Sequence, residues 1–314
     1  MAEPRDRGWT VHEVPPQEGR RFFITGANTG LGFQAARALA RQGAHVVLAC
    51  RDTARGQSAL DAIRGEAPDA RVALVALDLA SLESIRRCAD AVRASCDRLD
   101  VLLNNAGVMA LPQTTTADGF ERQIGTNHLG HFALTGRLLP TLLATLGSRV
   151  VTVSSLMHKR GRVDADDLFF ERRGYDSWAA YSQSKLANLL FTYELDRRLR
   201  RSGQTTNALA AHPGYAATEL QARGPAMRGS AVGLAVMRVA NAVFAQSSEA
   251  GAAPELRAAT DPAARGGEYY GPGGPGEIWG RAVRVQPAPS ARDEAVAVRL
   301  WEASERLTGV TFGI

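Results

Sequence analysis

Lysine is almost missing from this chain. Of the 37 Lys and Arg residues among 314, only Lys159 and Lys185 are lysine. Arginine is a broad planar fork and lysine a compact ammonium, so a position that keeps lysine against this background is one where the fork does not serve. Cysteine is scarce too: Cys50, Cys88 and Cys96 are odd in number and lack metal-ligand spacing. That pattern argues against a disulfide framework and fits reduced thiols in a cytoplasmic protein. G-x-S-x-G, H-E-x-x-H and C-x-x-C do not occur, so neither a hydrolase nor a metal site is expected. Long apolar runs are lacking as well. The most apolar later stretch, Ala231 to Ala245, is broken by Arg238 and Asn241, which excludes a membrane span. Met1 to Gly19 is polar and holds three prolines, so it reads as an N-terminal extension, neither signal peptide nor anchor.

The net charge of +5 comes from scattered arginines, and the densest group is Arg197, Arg198, Arg200 and Arg201. These residues close a helical segment, where cations complement the dipole, so nucleic-acid binding is not expected. The length and the 45% hydrophobic content allow one large α/β core, here residues 20–314.

Strand and helix signals alternate along the chain. Arg21 to Thr25 reads as a buried strand, followed by Gly26-Ala-Asn-Thr-Gly30-Leu-Gly32 and a helical run from Phe33 to Gln42, which Gly43 closes. Small residues there let backbone N–H groups at a helix start face a phosphate. His45 to Cys50 is a second strand. At such a tip an acidic residue suits a ribose hydroxyl and an arginine suits a 2′-phosphate. Neutral Cys50 and cationic Arg51 therefore favour NADP, with Asp52 read as the cap of the next helix. Val72 to Leu77 is a third strand, and Asp78 at its end is placed to accept from an adenine amine.

Asp100 to Gly107 is a fourth strand running into the small-residue turn Asn105-Ala106-Gly107, against which a flat cofactor can lie. A long helical segment from Ala117 to Leu146 follows; it carries Asn127, His128 and His131, and the two histidines are read as packing residues. Arg149 to Ser155 and Asn207 to Ala211 are further strands, and His212-Pro213-Gly214 turns away from the second. Glu268 to Gly271 reads as a last short strand and Asp293 to Leu307 as a C-terminal helix. The glycines of Tyr215 to Gln246 suggest a mobile substrate lid. The expected fold is a single-domain, Rossmann-like, doubly wound parallel sheet of about seven strands with helices on both faces. Gly26, Arg51, Asp78, Asn104, Ser155 and His212 all fall at strand carboxyl ends, where ligands bind in such sheets.

The chemistry converges on Trp178 to Phe191. Leu186, Leu189, Leu190 and Tyr193 recur at helical spacing, which places Tyr181 and Lys185 one turn apart on the same side. A phenol titrates near ~10, too high for a base at neutral pH. A cation beside it lowers that value by about 1–3 units, towards what an acid/base catalyst needs.

These segments together resemble the short-chain dehydrogenase/reductase family. The matching pieces are Thr25 to Gly32, Asn104-Asn-Ala-Gly107, Asn127, Val153-Ser-Ser155, Tyr181-x-x-x-Lys185 and Pro213-Gly214, in family order over roughly residues 20 to 220. The long interval between Ser155 and Tyr181, with Asp164 to Phe170, is similar to the retinol dehydrogenase-like branch. The resemblance implies that Tyr181 passes a proton to or from the substrate oxygen. Lys185 lowers the Tyr181 pKa and holds the nicotinamide ribose, Ser155 orients the substrate oxygen and Asn127 holds a relay water. It also implies cofactor contacts from Gly26, Asn28, Thr29, Gly30, Leu31, Gly32, Arg51, Asp78, Leu79, Asn105, Ala106, Gly107, Tyr181, Lys185, Pro213, Gly214 and Thr218. The activity so implied interconverts an alcohol and a carbonyl compound, with NADP as cofactor, a small molecule as partner, and self-association left open. Two other readings share parts of this pattern. A cofactor-sensing regulator would lose the Tyr or the Lys. A sugar-nucleotide epimerase or dehydratase would want a larger C-terminal substrate domain than the roughly 100 residues after Gly214.

Overall fold

The computed structural model describes residues 6–215 and 246–314. Strands β1 (Arg21–Thr25), β2 (His45–Cys50), β3 (Arg71–Ala76), β4 (Val101–Asn104), β5 (Arg149–Val153), β6 (Asn207–Ala211), β7 (Tyr269–Pro272) and β8 (Ala282–Arg284) form one sheet. Its order is β3-β2-β1-β4-β5-β6-β7-β8, and only the β7–β8 pairing is antiparallel. The reversal of order between β1 and β4 makes the crevice in which such sheets bind ligands.

Successive side chains of a strand face opposite ways, and two cores result. Phe22 and Ile24 of β1 pack towards helices α1 (Gly30–Arg41) and α2 (Thr53–Glu66). Phe23 between them packs towards α3 (Leu82–Ser95), α4 (Gly130–Leu143) and α5 (Ser177–Arg201). Helix α6 (Ser248–Thr260) joins the first face, and α7 (Glu294–Thr308) the second through Trp301. Burying both faces explains why the strands read as continuous apolar runs.

Two details differ from the sequence expectation. The sheet has eight strands, not about seven, because the short β8 lies behind a Gly/Pro-rich loop that hides its signal. The helical segment expected from Ala117 begins at Arg122, since Glu121 caps it by accepting from the Gln123 and Ile124 N–H groups. It runs through a π-helical turn, Gly125–Leu129, before α4, and α4 ends at Leu143. From residue 6 on, the N-terminal extension is tied to the rest of the domain. Trp9 is buried and exchanges both backbone hydrogen bonds with Ala282, and Asp6 pairs with Arg257 at 2.8 Å. Among the described residues no helix is long and apolar enough to cross a membrane. The expected lid falls, but for Tyr215 and Gln246, outside the described residues.

Candidate active site

A cleft opens along the carboxyl ends of β1, β2, β3 and β4. Gly26, Asn28, Thr29, Gly30 and Leu31 line it, as do Arg51, Asp78, Leu79, Asn105, Ala106 and Gly107. Gly26 and Gly30 adopt left-handed backbone conformations that favour glycine. Gly32 does not line the cleft. It is the place where α1 meets the β4 turn, and a Cβ there would lie 2.4 Å from Asn105 Nδ2. The turn therefore sets how closely backbone approaches the cleft floor, which fits a dinucleotide lying along it.

Thr25 fixes the opposite wall. Its hydroxyl accepts from the Asn105 and Ala106 N–H groups at 3.0 and 2.9 Å. It also lies 2.9 Å from His131 Nε2. The other ring nitrogen of His131 faces the carbonyl of Asn127, which only accepts, so Nδ1 carries the proton and Thr25 donates to Nε2. Burial pushes the His131 pKa down to about 4, which keeps the ring neutral. His131 thus ties the Asn105 turn to the π-helical turn bearing Asn127. His128, also buried, contacts Ser304. No group of three or more metal-ligating side chains occurs among the described residues.

At the tip of β2 the cleft is lined by Ala49, Arg51 and Asp52, with Arg55 one helical turn further on. Cys50, read as the neutral residue of this tip, is 1% exposed and does not line the cleft; burial raises its thiol pKa to about 11. Asp52 caps α2 by accepting from the Arg55 N–H at 3.0 Å. Asp78 accepts from the Ala80 N–H at 2.9 Å. Arg55 was legible only as a second arginine four residues after Arg51.

Tyr181 and Lys185 lie on α5, which Asp176 starts by accepting from the Ala179 N–H at 2.7 Å. Both side chains are buried. The Tyr181 hydroxyl lies towards Ser155, which follows β5. Lys185 Nζ donates to the carbonyl of Val153, the last residue of β5, at 3.1 Å. A Cβ on Gly107 would lie 3.6 Å from the same Nζ and 3.2 Å from Asn127 Oδ1, so the lysine and Asn127 both face the small-residue turn. Asn127 is pinned to Val108: its Oδ1 accepts from the Val108 N–H at 2.7 Å and its Nδ2 donates to the Val108 carbonyl at 2.9 Å. The same Nδ2 meets Ser184 Oγ at 2.9 Å.

The expected lowering of the Tyr181 pKa is not what the protein by itself shows. Burial pushes the phenol up to about 12, and the bond to Ser155 offsets this only partly. Lys185 Nζ stands 5.9 Å from the centre of the phenol ring and is engaged with Val153. Burial lowers the ammonium to about 8, against an opposing pull from Glu255.

Pro213 and Gly214 follow β6 at the same edge of the sheet. Gly214 has φ +64°, and a Cβ there would lie 2.3 Å from the Ile278 carbonyl. His212, just before them, accepts from the Gly214 N–H through Nδ1 and stands 3.1 Å from Glu277, which also binds Lys159 at 3.0 Å. Thr218 lies outside the described residues.

Residues 20–228 match the family model described as short chain dehydrogenase. The chain is 46% identical over 294 residues to human retinol dehydrogenase 13, covering 93% of this chain and 85% of that protein. It is similar to a crystal structure of an uncharacterised Mycobacterium paratuberculosis protein, with 44% identity and a TM-score of 0.80 over 98% of this chain and 100% of that one. A short-chain dehydrogenase from Escherichia coli CFT073 in complex with NADPH is 25% identical, with a TM-score of 0.54, over 68% of this chain and 83% of that one. With a glycine-turned cleft at the switch point of its sheet and a Tyr-Lys helix beside it, the chain belongs to the short-chain dehydrogenase family, in its retinol dehydrogenase-like branch, and is an oxidoreductase of the alcohol–carbonyl couple.

Proposed function

We propose that this protein interconverts an alcohol and a carbonyl compound with NADP(H), using Tyr181 as the proton donor and acceptor. The bound nicotinamide supplies the hydride chemistry. The observation that carries the reading is the convergence of four polar side chains at the carboxyl ends of β4 and β5. Tyr181 lies towards Ser155, Lys185 holds the end of β5 and faces Gly107, and Asn127 is fixed to Val108 beside them. Ser155 orients the substrate oxygen against the Tyr181 hydroxyl, so the proton moves over one hydrogen bond. Lys185 presents its ammonium at the Gly107 turn, where the ribose of the cofactor would lie. Asn127 holds the chain end of that polar line in place.

The choice of NADP rests on the β2 tip. Arg51 and Arg55 both line the cleft there, and the Asp52 carboxylate is engaged with the start of α2. A planar guanidinium matches a 2′-phosphate. Free thiols at all three cysteines support a reducing, cytoplasmic setting.

The test is Tyr181→Phe, assayed by NADPH oxidation with a panel of aldehydes and ketones that begins with long apolar aldehydes. The ring still packs while the proton donor is gone. Turnover is expected to fall by roughly 10²–10⁴ with NADP affinity nearly unchanged. A variant that keeps more than half its activity refutes the assignment.

A further inference from the structure

Ser155 is the N-cap of a 3-10 helix, Leu156–Arg160, that follows it at once. Its backbone is extended, and its Oγ accepts from the Met157 N–H at 3.2 Å. An Oγ that accepts from the backbone keeps its own hydrogen for the substrate oxygen. Where that Oγ sits therefore depends on how the first turn of the helix is closed.

His158 closes it twice. Its backbone N–H donates to the Ser155 carbonyl at 3.0 Å, and its ring Nδ1 stands 2.6 Å from the same oxygen. The ring is fully buried, and its other nitrogen, Nε2, accepts from the Ala288 N–H at 3.0 Å. A carbonyl only accepts and a backbone N–H only donates, so one neutral tautomer, with the proton on Nδ1, satisfies both. Burial pushes the His158 pKa down to about 4, which keeps the ring neutral. Tyr269 packs edge-on against it, with ring centroids 5.7 Å apart.

The short helix is held on two sides. At its C-cap, a Cβ on Gly161 would lie 2.5 Å from the carbonyl of Ser182, the residue after Tyr181 on α5. Lys159 pairs at 3.0 Å with Glu277, in the loop between β7 and β8. Glu277 and Ala288 both lie beyond residue 228, where the family match ends. Two consecutive residues, His158 and Lys159, thus fasten the loop that carries Ser155 to the C-terminal part of the chain.

We propose that His158 is a positioning residue for Ser155: its Nδ1–H holds the serine carbonyl, and Ala288 holds the ring in the tautomer able to do so. The inference rests on the role given to Ser155 above. With the ring bond gone, a single backbone bond closes the turn, and the Met157 N–H that fixes the Oγ is free to shift. A displacement of about 1 Å is enough to cost ~10² in rate. The cofactor cleft, formed at the ends of β1 to β4, is untouched.

Two substitutions separate the two ring nitrogens. Asparagine puts an amide N–H where Nδ1 stands, and glutamine puts its amide oxygen near Nε2. His158→Asn keeps the bond to Ser155 and should hold kcat within about threefold of wild type. His158→Gln keeps only the bond to Ala288 and should lower kcat by about tenfold to a hundredfold, with NADPH affinity unchanged. The assay is NADPH oxidation with the carbonyl compound of the panel that turns over fastest. Repeated in Ser155→Ala by single-turnover rates, His158→Gln should cost less than about threefold, because the group it positions is gone. The proposal is overturned if His158→Asn is no better than His158→Gln, or if His158→Gln costs the same with and without the Ser155 hydroxyl. Whether or not the variants fold, wild type labelled with ¹⁵N-histidine should show two rings, those of His131 and His158, protonated at Nδ1 alone; fewer than two also overturns it. If Ser155→Ala stays fully active, the role of Ser155 itself falls. If Ser155→Ala is impaired while His158→Gln matches wild type, only the positioning is refuted.

Discussion

Glu255 of α6, 2% exposed and with no hydrogen-bond partner for either carboxyl oxygen among the described residues, should be a pH-dependent weak point in the stability of the fold. Its carboxyl is raised from 4.5 to about 8 by full burial, with Lys185 opposing. A group raised on folding contributes stability that is present below its unfolded pKa and lost as the pH climbs towards the folded one. For Glu255 the loss runs from pH 4.5 to about 8. At about 1.4 kcal/mol for each pH unit, that window has a ceiling of about 5 kcal/mol. Glutamine has the same shape and the same lack of partners, but it does not titrate. The difference between wild type and Glu255→Gln should therefore be a constant offset near pH 5 and should grow by a few kcal/mol in favour of the variant by pH 8. Titrating groups that do not act on Glu255 are common to both proteins and cancel. Lys185 is lowered on folding, so its own contribution changes above about 8, and the comparison stops there. Urea unfolding at pH 5, 6.5 and 8 measures the effect through the transition midpoints. A gap between the two proteins that does not change with pH would mean that Glu255 is ionised or solvated in the fold, contrary to its burial.

Two further outcomes are expected. Arg51→Ala should weaken NADP about tenfold, since one charge-assisted bond at an open rim is worth about 1.4 kcal/mol after screening, and should leave NAD almost unchanged; titration of both cofactors decides it, and equal weakening of the two refutes the 2′-phosphate reading. Gly214→Ala should destabilise the protein by about 1–3 kcal/mol in urea, because the residue has φ +64° and the new Cβ would lie 2.3 Å from the Ile278 carbonyl; an unchanged midpoint would show that the Pro213-Gly214 turn can shift freely.

Much of the fold was legible because its strands are buried on both faces and its helices begin and end at ordinary signals. The run from Arg21 to Thr25, the glycine turn after it and Gly43 behind α1 each state one local preference that the whole sheet agrees with. What stayed hidden depends on distant partners. Strand β8 is three residues long and is completed by Trp9 from the far end of the chain. The π-helical turn at Asn127 leaves no trace in apolar periodicity, because the turn and nearly all of the helix after it are buried and present no polar face whose phase could shift. Glu255 is the sharpest case. A glutamate in an alanine-rich helical segment reads as a solvent-facing residue, and only the packing of α6 against the sheet puts it inside.

The candidate site follows the same division. Residue identities were readable from motif spacing, whereas protonation states belong to the folded environment. Spacing put Lys185 one turn from Tyr181 and suggested that the cation prepares the phenol as a base. In the folded chain burial prevails over that effect, and the pair stands as a protonated phenol and an ammonium held by the end of β5. A phenol at about 12 is protonated at neutral pH and is ready to donate, which suits the reduction of a carbonyl. To run as a base it must lose that proton, and the groups able to favour the loss are Ser155, through its hydrogen bond, and a lysine that stays charged.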